Sequence, residues 1–306
     1  MIDTDLSRRG YQILRKQAIK RRSNIYPSYK KIQKAKQECY PTKMTVTESK
    51  AEVDLQSILD ITTKRIFEVV TDCHTLPVSS QPIQYTLISK WGFDGSGMQS
   101  TFHQSFASAV FDDSSLFMTS FVPLQLYYKV LGDSENHIIW QNPRPSSVRF
   151  CRPMKMEFIK ESREVILQEE QYWSNEISKL VPSPVDENGK ISVVHDFTLS
   201  MIDGKVHSVL TDTKSTQMCV VCKATPRDMN DIDLVLKRKC DTKALDLGIS
   251  ILHAYIRFFE WLLHVSYRLE VKSYFRTKTN KELIDKRAQS IRKKFRKKIW
   301  NYSGWD

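Results

Sequence analysis

The apolar positions of the chain change period along its length. Over residues 5–40 they are sparse and helically spaced. Leu14, Ala18 and Ile19 predict a narrow stripe on a short basic helix capped by Ser7, and Tyr29, Ile32 and Ala35 restart the spacing after Pro27 and Ser28. Asp54 opens a clearer helix, with Leu55, Ile58, Leu59, Ile66 and Val70 on the 3.6-residue period. His74 to Pro82 reads as a loop and a domain boundary. Ile83, Tyr85, Leu87, Trp91 and Phe93 then alternate as a strand that ends at Asp94-Gly95-Ser96-Gly97. Leu116 to Leu126 predicts a second strand, buried on both faces, with Pro123 at a bulge or an end of the pairing. His137 to Gln141 gives a short third strand. Lys155 to Val181 is expected to be helical, with Ile159, Ile166, Trp173, Ile177 and Leu180 on one stripe, and Ile191 to Ile202 forms a fourth strand that stops at Asp203-Gly204. Further on, Leu247, Ile251, Phe258, Leu262, Val265 and Leu269 predict a long buried helical stripe. A last helix opens at Thr279–Glu282 in the pattern of a capping box, with Ile284, Ala288, Ile291, Phe295 and Ile299 as its stripe.

Composition adds the distribution of charge. The 306 residues carry 47 Lys+Arg against 35 Asp+Glu, a net +12. Residues 1–43 hold 12 basic and 3 acidic residues, and residues 272–298 hold 12 and 2, so the centre is acidic. Clustered positive charge at both ends suits a polyanion, nucleic acid before an anionic membrane, although a basic solvated surface satisfies the same pattern. The most apolar long stretch, Leu247 to Leu269, is interrupted by His253, Arg257, Glu260 and His264, so an amphipathic helix is expected and not a membrane span. No apolar segment follows a basic one at the N-terminus, so no signal peptide is expected. Six cysteines in a chain of this length do not form a disulfide framework, which points to a reducing compartment.

Few positions carry candidate chemistry. Asp94 and Asp203 each end an apolar strand and precede a glycine. Two carboxylates brought into one strand-end crevice can hold Mg²⁺ or Mn²⁺, but from spacing alone an ordinary Asp-Gly turn at each strand end is the better fit. Cys219-Val220-Val221-Cys222 is half of a tetrahedral zinc site. Its partners would have to come from His207, Cys240, His253 or His264, and two half-buried cysteines remain the alternative. Glu260 and His264 stand four apart on one helix with no nucleophile nearby, and no GxSxG, GxxxxGK[ST] or GxGxxG pattern occurs. Tyr11, Tyr26, Tyr29 and Tyr40 are interleaved with basic residues, where tyrosine can stack on bases or cover a core beneath a solvated helix.

Several segments together resemble a known family. They are Lys90-Trp91-Gly92-Phe93-Asp94-Gly95-Ser96-Gly97, Ile139-Trp140-Gln141-Asn142-Pro143-Arg144-Pro145-Ser146-Ser147, Met201-Ile202-Asp203-Gly204-Lys205, and Cys219-x-x-Cys222-x-Ala224-Thr225-Pro226. Ile25 to Tyr29, Lys34 to Pro41 and Leu252 to His264 belong with them. They resemble the transposase-derived relatives of the V(D)J recombination-activating catalytic subunit and of Transib transposases. The resemblance implies an α/β fold: an RNase H-like mixed-sheet core (residues 83–218) between a basic helical DNA-binding region (1–75) and a helical insertion that begins with the CxxC (219–306). It implies a DDE-type chemistry, in which carboxylates bind two Mg²⁺ or Mn²⁺ ions that cut DNA and join the freed 3′ end to a target. Asp94 and Asp203 match the first two carboxylates, and Cys219 and Cys222 match half of a zinc site.

In the family, the zinc-binding histidines and the third carboxylate lie beyond the helices with which this sequence ends. His253, His264, Glu260 and Glu270 come too early to match them. The resemblance therefore implies a truncated relative whose catalysis is incomplete. The alternatives are a DNA-binding protein without catalysis, or a transposon remnant without function. DNA is the implied partner, gripped by Arg21, Arg22, Lys30 and Lys31 at one end and by Arg292, Lys293, Lys294 and Arg296 at the other. A homodimer and a nuclear location are implied with it, and no membrane partner.

Overall fold

Alternating burial along one long strand organises the centre of the molecule. In a computed structural model that describes residues 6–73, 83–97, 106–107, 112–129, 135–186, 191–215, 217–228, 231–247, 251–269, 271 and 277–302, this strand is β3 (Ile83–Gly97). Its Tyr85, Leu87, Ser89, Trp91 and Phe93 point inward. The chain is a mixed α/β fold that divides into two compact units, Met1–Gly248 and Ile249–Asp306. The loop expected over His74 to Pro82 lies outside the described residues.

The first unit opens with two short helices, α1 (Arg8–Lys20) and α2 (Tyr29–Gln37). Ser7 caps α1 by accepting the Gly10 amide at 3.1 Å, and Ser28 caps α2 by accepting that of Lys31 at 3.3 Å. The expected stripe of α1 is not a core face: Leu14 and Ile19 are exposed, and Tyr11 is buried instead. The reason is the turn between the helices, where the Tyr11 hydroxyl donates to the Pro27 carbonyl at 2.8 Å and its ring meets those of Tyr26 and Tyr29.

Two short strands, β1 (Met44–Val46) and β2 (Lys50–Val53), precede helix α3 (Leu55–Cys73). Asp54 starts α3 by accepting the Ser57 amide at 2.8 Å. β3 is followed by β4 (Ser115–Tyr128), β5 (His137–Gln141) and β6 (Arg152–Glu157), then by helix α4 (Arg163–Ser178), the two-residue β7 (Ser183–Pro184) and β8 (Ile191–Leu199). Among the described residues eight strands form one sheet in the order β1-β2-β6-β4-β3-β8-β7, with β5 attached to β4. β3 pairs antiparallel with β4, and β4 with β6, so β3 and β6 run the same way. β8 joins β3 on its other side, in parallel, from Ile83↔Ile191 to Trp91↔Leu199.

Three expected boundaries move. The helix expected from Lys155 is a strand up to Glu157, where Met154 is buried in the β4–β6 pairing. The helix begins only after Ser162 accepts the Val165 amide at 3.3 Å. β3 continues through Gly97 because Asp94 to Gly97 still pair with Ser115 to Met118. β8 stops at Leu199, since the next two amides, of Ser200 and Met201, both turn onto the Trp91 carbonyl, at 3.1 and 2.9 Å.

Side chains of α3, α4 and α5 (Gly204–Leu210) form the core with the sheet: Leu55, Leu59, Ile166, Trp173 and Val206 pack with Trp91, Phe93, Phe117 and Phe121. A second cluster joins Phe67 and Val70 to Tyr85, Leu87, Leu126 and Val193. Two polar nodes are enclosed. Glu169 accepts from Thr119, from Trp173 Nε1 at 2.7 Å and from Lys155 Nζ at 2.7 Å. The Ser183 hydroxyl lies 2.5 Å from Asp60 Oδ1 and 2.8 Å from His195 Nε2. After α5 the unit closes with two one-turn helices, α6 (Ile232–Leu236) and α7 (Thr242–Asp246).

The second unit holds α8 (Ile251–Arg268) and α9 (Lys278–Tyr302). The long stripe expected on α8 is exposed at Phe258, Leu262, Val265 and Leu269, while Tyr267 is the buried contact. Arg287 of α9 donates to the Ser266 carbonyl at 2.7 Å, Ala288 is buried and Phe295 is exposed. The N-cap of α9 is Thr277, which accepts the Asn280 amide at 3.2 Å, two residues before the expected box. No described helix is long and apolar enough to cross a membrane.

Candidate metal and nucleic-acid site

A parallel pair of strands with an antiparallel neighbour brings several chain segments to one end of the sheet. Trp91↔Leu199 is the last register pair of β3 and β8. Beyond it the chain folds over Gly92 so closely that a Cβ built there would lie 2.0 Å from the Met201 carbonyl oxygen. Asp94 is two residues past Gly92 and Asp203 two residues past Met201, so both sit at the carboxyl ends of neighbouring parallel strands. Asp94 is exposed on β3, opposite Met118. Asp203 is half-buried and is the N-cap of α5, its Oδ1 accepting the Val206 amide at 2.7 Å.

A third carboxylate, absent from the sequence expectations, comes to the same end of the sheet but on the Gly95 face of β3, opposite to the face of Asp94. Phe117↔Glu157 puts the end of β6 level with the Asp94–Gly97 end of β3, and Glu161 follows four residues later, just before α4. Glu161 Oε2 accepts the Gly95 amide at 3.1 Å. Its Oε1 is buried and pairs with the Lys205 ammonium, Nζ standing 2.7 Å away. A Cβ on Gly95 would come within 2.6 Å of Glu161. Asp94, Glu161 and Asp203 thus leave the carboxyl ends of three strands that run the same way. The signal that could have found Glu161 was a correct strand at 152–157. Once that segment is taken as helix, Glu161 falls inside the helix, far from any strand end.

The donor chemistry, carboxylate oxygen, is that of a hard divalent ion. The fit lies in that chemistry alone, since Glu161 Oε1 is already paired with the Lys205 ammonium. Among the described residues no three His, Cys, Asp or Glu side chains are gathered closely enough to hold a metal ion.

The cysteine pair lies in a tight reversal. The Cys219 amide donates to the Ala224 carbonyl at 2.8 Å, the Lys223 amide to the Cys219 carbonyl at 2.8 Å, and Lys223 takes the left-handed φ of 56°. Burial acts to raise the Cys219 thiol, but hydrogen bonds from the Cys222 and Val221 amides and from the Cys222 thiol, with the charge of Lys223, outweigh it. The thiol is held below its ordinary range. Such a loop suits a thiolate and hence zinc. The Asp241 amide donates to the Val221 carbonyl at 2.7 Å, which brings exposed Cys240 next in sequence to a contact with the loop. His207 is buried and bonds through Nε2 to the Ala244 carbonyl at 3.2 Å.

The basic residues divide between the two units. Arg21, Arg22, Lys30 and Lys31 are exposed around the α1–α2 turn, and Arg22 has a left-handed φ of 61°. Tyr11, Tyr26 and Tyr29 are engaged with one another, and Arg8 lies over the Tyr29 ring at 5.0 Å. In the second unit Arg292, Lys293 and Lys294 are exposed along α9, with Arg292 5.9 Å from the Tyr267 ring. The side chain of Arg296 lies outside the described residues. A 430 Å³ groove lies elsewhere, lined by Lys43, Glu52, Asp54, Tyr172, Trp173 and Glu176 among others, and holds none of the expected site residues.

No protein-family model matches the chain, and no curated protein matches it.

Proposed function

We propose that the chain is a DNA-directed protein of transposase ancestry, with an RNase H-like core whose strand-end carboxylates bind divalent metal. The single observation that carries this is the crossing of the chain at Gly92 and Met201, which leads Asp94 and Asp203 out at the ends of adjacent parallel strands. Support comes from the order of elements around it: three consecutive antiparallel strands (β3, β4, β6), helix α4, then β8 entering parallel beside β3 and running into α5. An RNase H-like core has that order.

Asp94 and Asp203 would hold Mg²⁺ or Mn²⁺. A pair of such ions, when bound, activates a water or 3′-hydroxyl and stabilises the leaving oxygen of a phosphodiester. The chain's own part is to orient and to bind. The Gly95 amide fixes Glu161, the α5 cap fixes Asp203, and the basic groups of α1, α2 and α9 neutralise DNA phosphates. Cys219 and Cys222 would contribute two thiolates to a zinc ion. Action on DNA places the protein in the nucleus, as a homodimer by the same resemblance.

The Lys205–Glu161 ion pair favours a second reading, in which the ammonium permanently replaces the metal and the protein binds DNA without cutting it. Incubation of the full chain with end-labelled DNA and Mn²⁺ separates the two. Nicking that disappears in both Asp94→Asn and Asp203→Asn supports the metal site. Nicking unchanged by either variant refutes it. Salt-dependent DNA binding with no nicking and no bound Mn²⁺ selects the second reading.

A further inference from the structure

We propose that α8 is a dimerisation helix, whose exposed apolar seam packs antiparallel against the same seam of a second copy of this chain. The inference gives the homodimer of the reading above a surface, and it uses nothing of that reading's metal chemistry. Tyr255, Phe258, Leu262, Val265 and Leu269 follow one another at steps of 3, 4, 3 and 4 residues, the alternation of a helix–helix seam. All five are exposed, from 38% at Val265 to 68% at Leu269. Phe259 and Trp261 border the seam and are exposed as well. The side of α8 turned to α9 is a different one. Tyr267, which is buried, stands two positions past Val265, about half a turn around the helix, and Arg292 of α9 lies over its ring.

The size of the face fits a second copy. The rings of Tyr255, Phe258, Phe259 and Trp261 are each a little over half exposed and, at about 150–250 Å² for a whole aromatic side chain, present about 500 Å² together. With Leu262, Val265 and Leu269 the face approaches the roughly 800 Å² per partner of a standard interface, more than an ordinary surface patch. The rings are already set against one another. Tyr255 stacks on Phe259 at 6.3 Å and Phe258 on Trp261 at 6.4 Å, so association needs little further ordering. The seam is also complementary to itself. In an antiparallel pair Tyr255 faces the partner's Val265 and Phe258 faces the partner's Leu262, a ring against an aliphatic group at each level, and the two-fold axis repeats both contacts. None of the five seam residues is charged, so nothing in the seam repels its own copy. An anionic membrane fits less well. A helix lying on one carries Lys and Arg along its polar side, whereas Glu260, His264 and Arg268 occupy that side of α8.

The test is sedimentation equilibrium of the full chain, without DNA or metal, on the wild type, Phe258→Glu, Leu262→Glu and, as control, Leu236→Glu at an exposed position of α6. The expected result is a reversible dimer at micromolar concentration for the wild type and the control, with association about a hundredfold weaker in the two seam variants, where a carboxylate would be buried unpaired. A wild type that stays monomeric across the micromolar range overturns both the seam and the homodimer, and leaves the strand-end carboxylates to the nicking assay. Equal association in all four chains overturns the seam and leaves the homodimer standing. A monomer that binds phosphatidylserine vesicles, and loses them in Leu262→Glu, assigns the face to a membrane and overturns the proposal. Mixing Phe258→Lys with Leu262→Glu tests the direction of pairing. Each alone should be monomeric and the mixture should associate, and a mixture that stays monomeric overturns the antiparallel arrangement. Hydrogen exchange of the wild-type chain keeps the test independent of whether the variants fold. Residues 255–265 should gain protection as concentration rises, and a dimer without that gain overturns the seam.

Discussion

Gly92→Ala tests the crossing on which the site depends. The added methyl would lie 2.0 Å from the Met201 carbonyl oxygen, 2.4 Å from its carbonyl carbon and 2.7 Å from its Cβ. The first two are backbone atoms, so no rotamer change relieves the overlap. The 200–202 segment must retreat by about 1 Å or more to reach ordinary contact. That retreat strains the bonds from the Ser200 and Met201 amides to the Trp91 carbonyl, now 3.1 and 2.9 Å. Overpacking of this kind costs about 1–3 kcal/mol. Losing two hydrogen bonds adds about 1 kcal/mol each. The sum, about 3–5 kcal/mol, is a large share of the stability of an ordinary domain. Gly97→Ala is the control, because a Cβ there meets nothing within 4 Å. Urea unfolding followed by circular dichroism should show Gly97→Ala near wild type and Gly92→Ala far below it. Mn²⁺ binding should weaken as Asp203 moves away from β3. Coincident unfolding curves for the two variants would refute the crossing.

Four further outcomes follow from the same structure. His195 is pushed down to about 4, first by burial, with Asp60 acting weakly the other way, so the unfolded chain takes up this proton before the folded one does. Its contribution is complete above about pH 6.5 and is lost as pH falls toward 4, about 3 kcal/mol in all, and His195→Gln should flatten that limb in urea titrations at pH 7 and 5. Glu169→Ala strips Lys155, Thr119 and Trp173 of one shared acceptor and should cost about 3–5 kcal/mol, whereas Lys179→Ala, which breaks the surface pair with Glu176, should change unfolding by less than about 1 kcal/mol. The lowered Cys219 thiol should react with iodoacetamide at pH 7.5 faster than exposed Cys240, by mass spectrometry of the metal-free chain, and Lys223→Ala should slow it. DNA affinity should fall with log salt at about −0.9 per phosphate neutralised, and Arg292→Glu, Lys293→Glu and Lys294→Glu together should flatten that slope; an unchanged slope removes α9 from the DNA interface.

Local rules reached the helices with strong caps and the strands with clean alternation. Ser7 caps the helix expected of it, and His137–Gln141 is a strand with the expected bounds. Where one segment satisfied two periods, the sequence misled. Residues 155–157 suit a helix stripe until Met154 is seen filling the β4–β6 pairing. The same error hid Glu161, because a residue is recognisable at a strand end only when its strand is known. The α1 and α8 stripes failed differently. Spacing shows that apolar residues share a face, but not that another element covers it, and Leu14, Phe258 and Leu262 are left exposed.

The sequence by itself determined that this is a mixed α/β chain with basic ends and an acidic middle. It also determined that Asp94 and Asp203 each follow an apolar run and precede a glycine, and that Cys219 and Cys222 form a pair, although β3 continues through Gly97 and β8 stops at Leu199. These follow from nearest neighbours, through side-chain period, turn residues and charge. Only the tertiary structure decided that β8 lies parallel to β3, that Met201 rests on Gly92, and that Glu161 comes from across α4 to stand between the Gly95 amide and Lys205. Those contacts join residues 66 and 109 positions apart, Gly95 with Glu161 and Gly92 with Met201. No local preference encodes them. They exist because the sheet buries its apolar face in a single register, and that register sets which loops meet at its end.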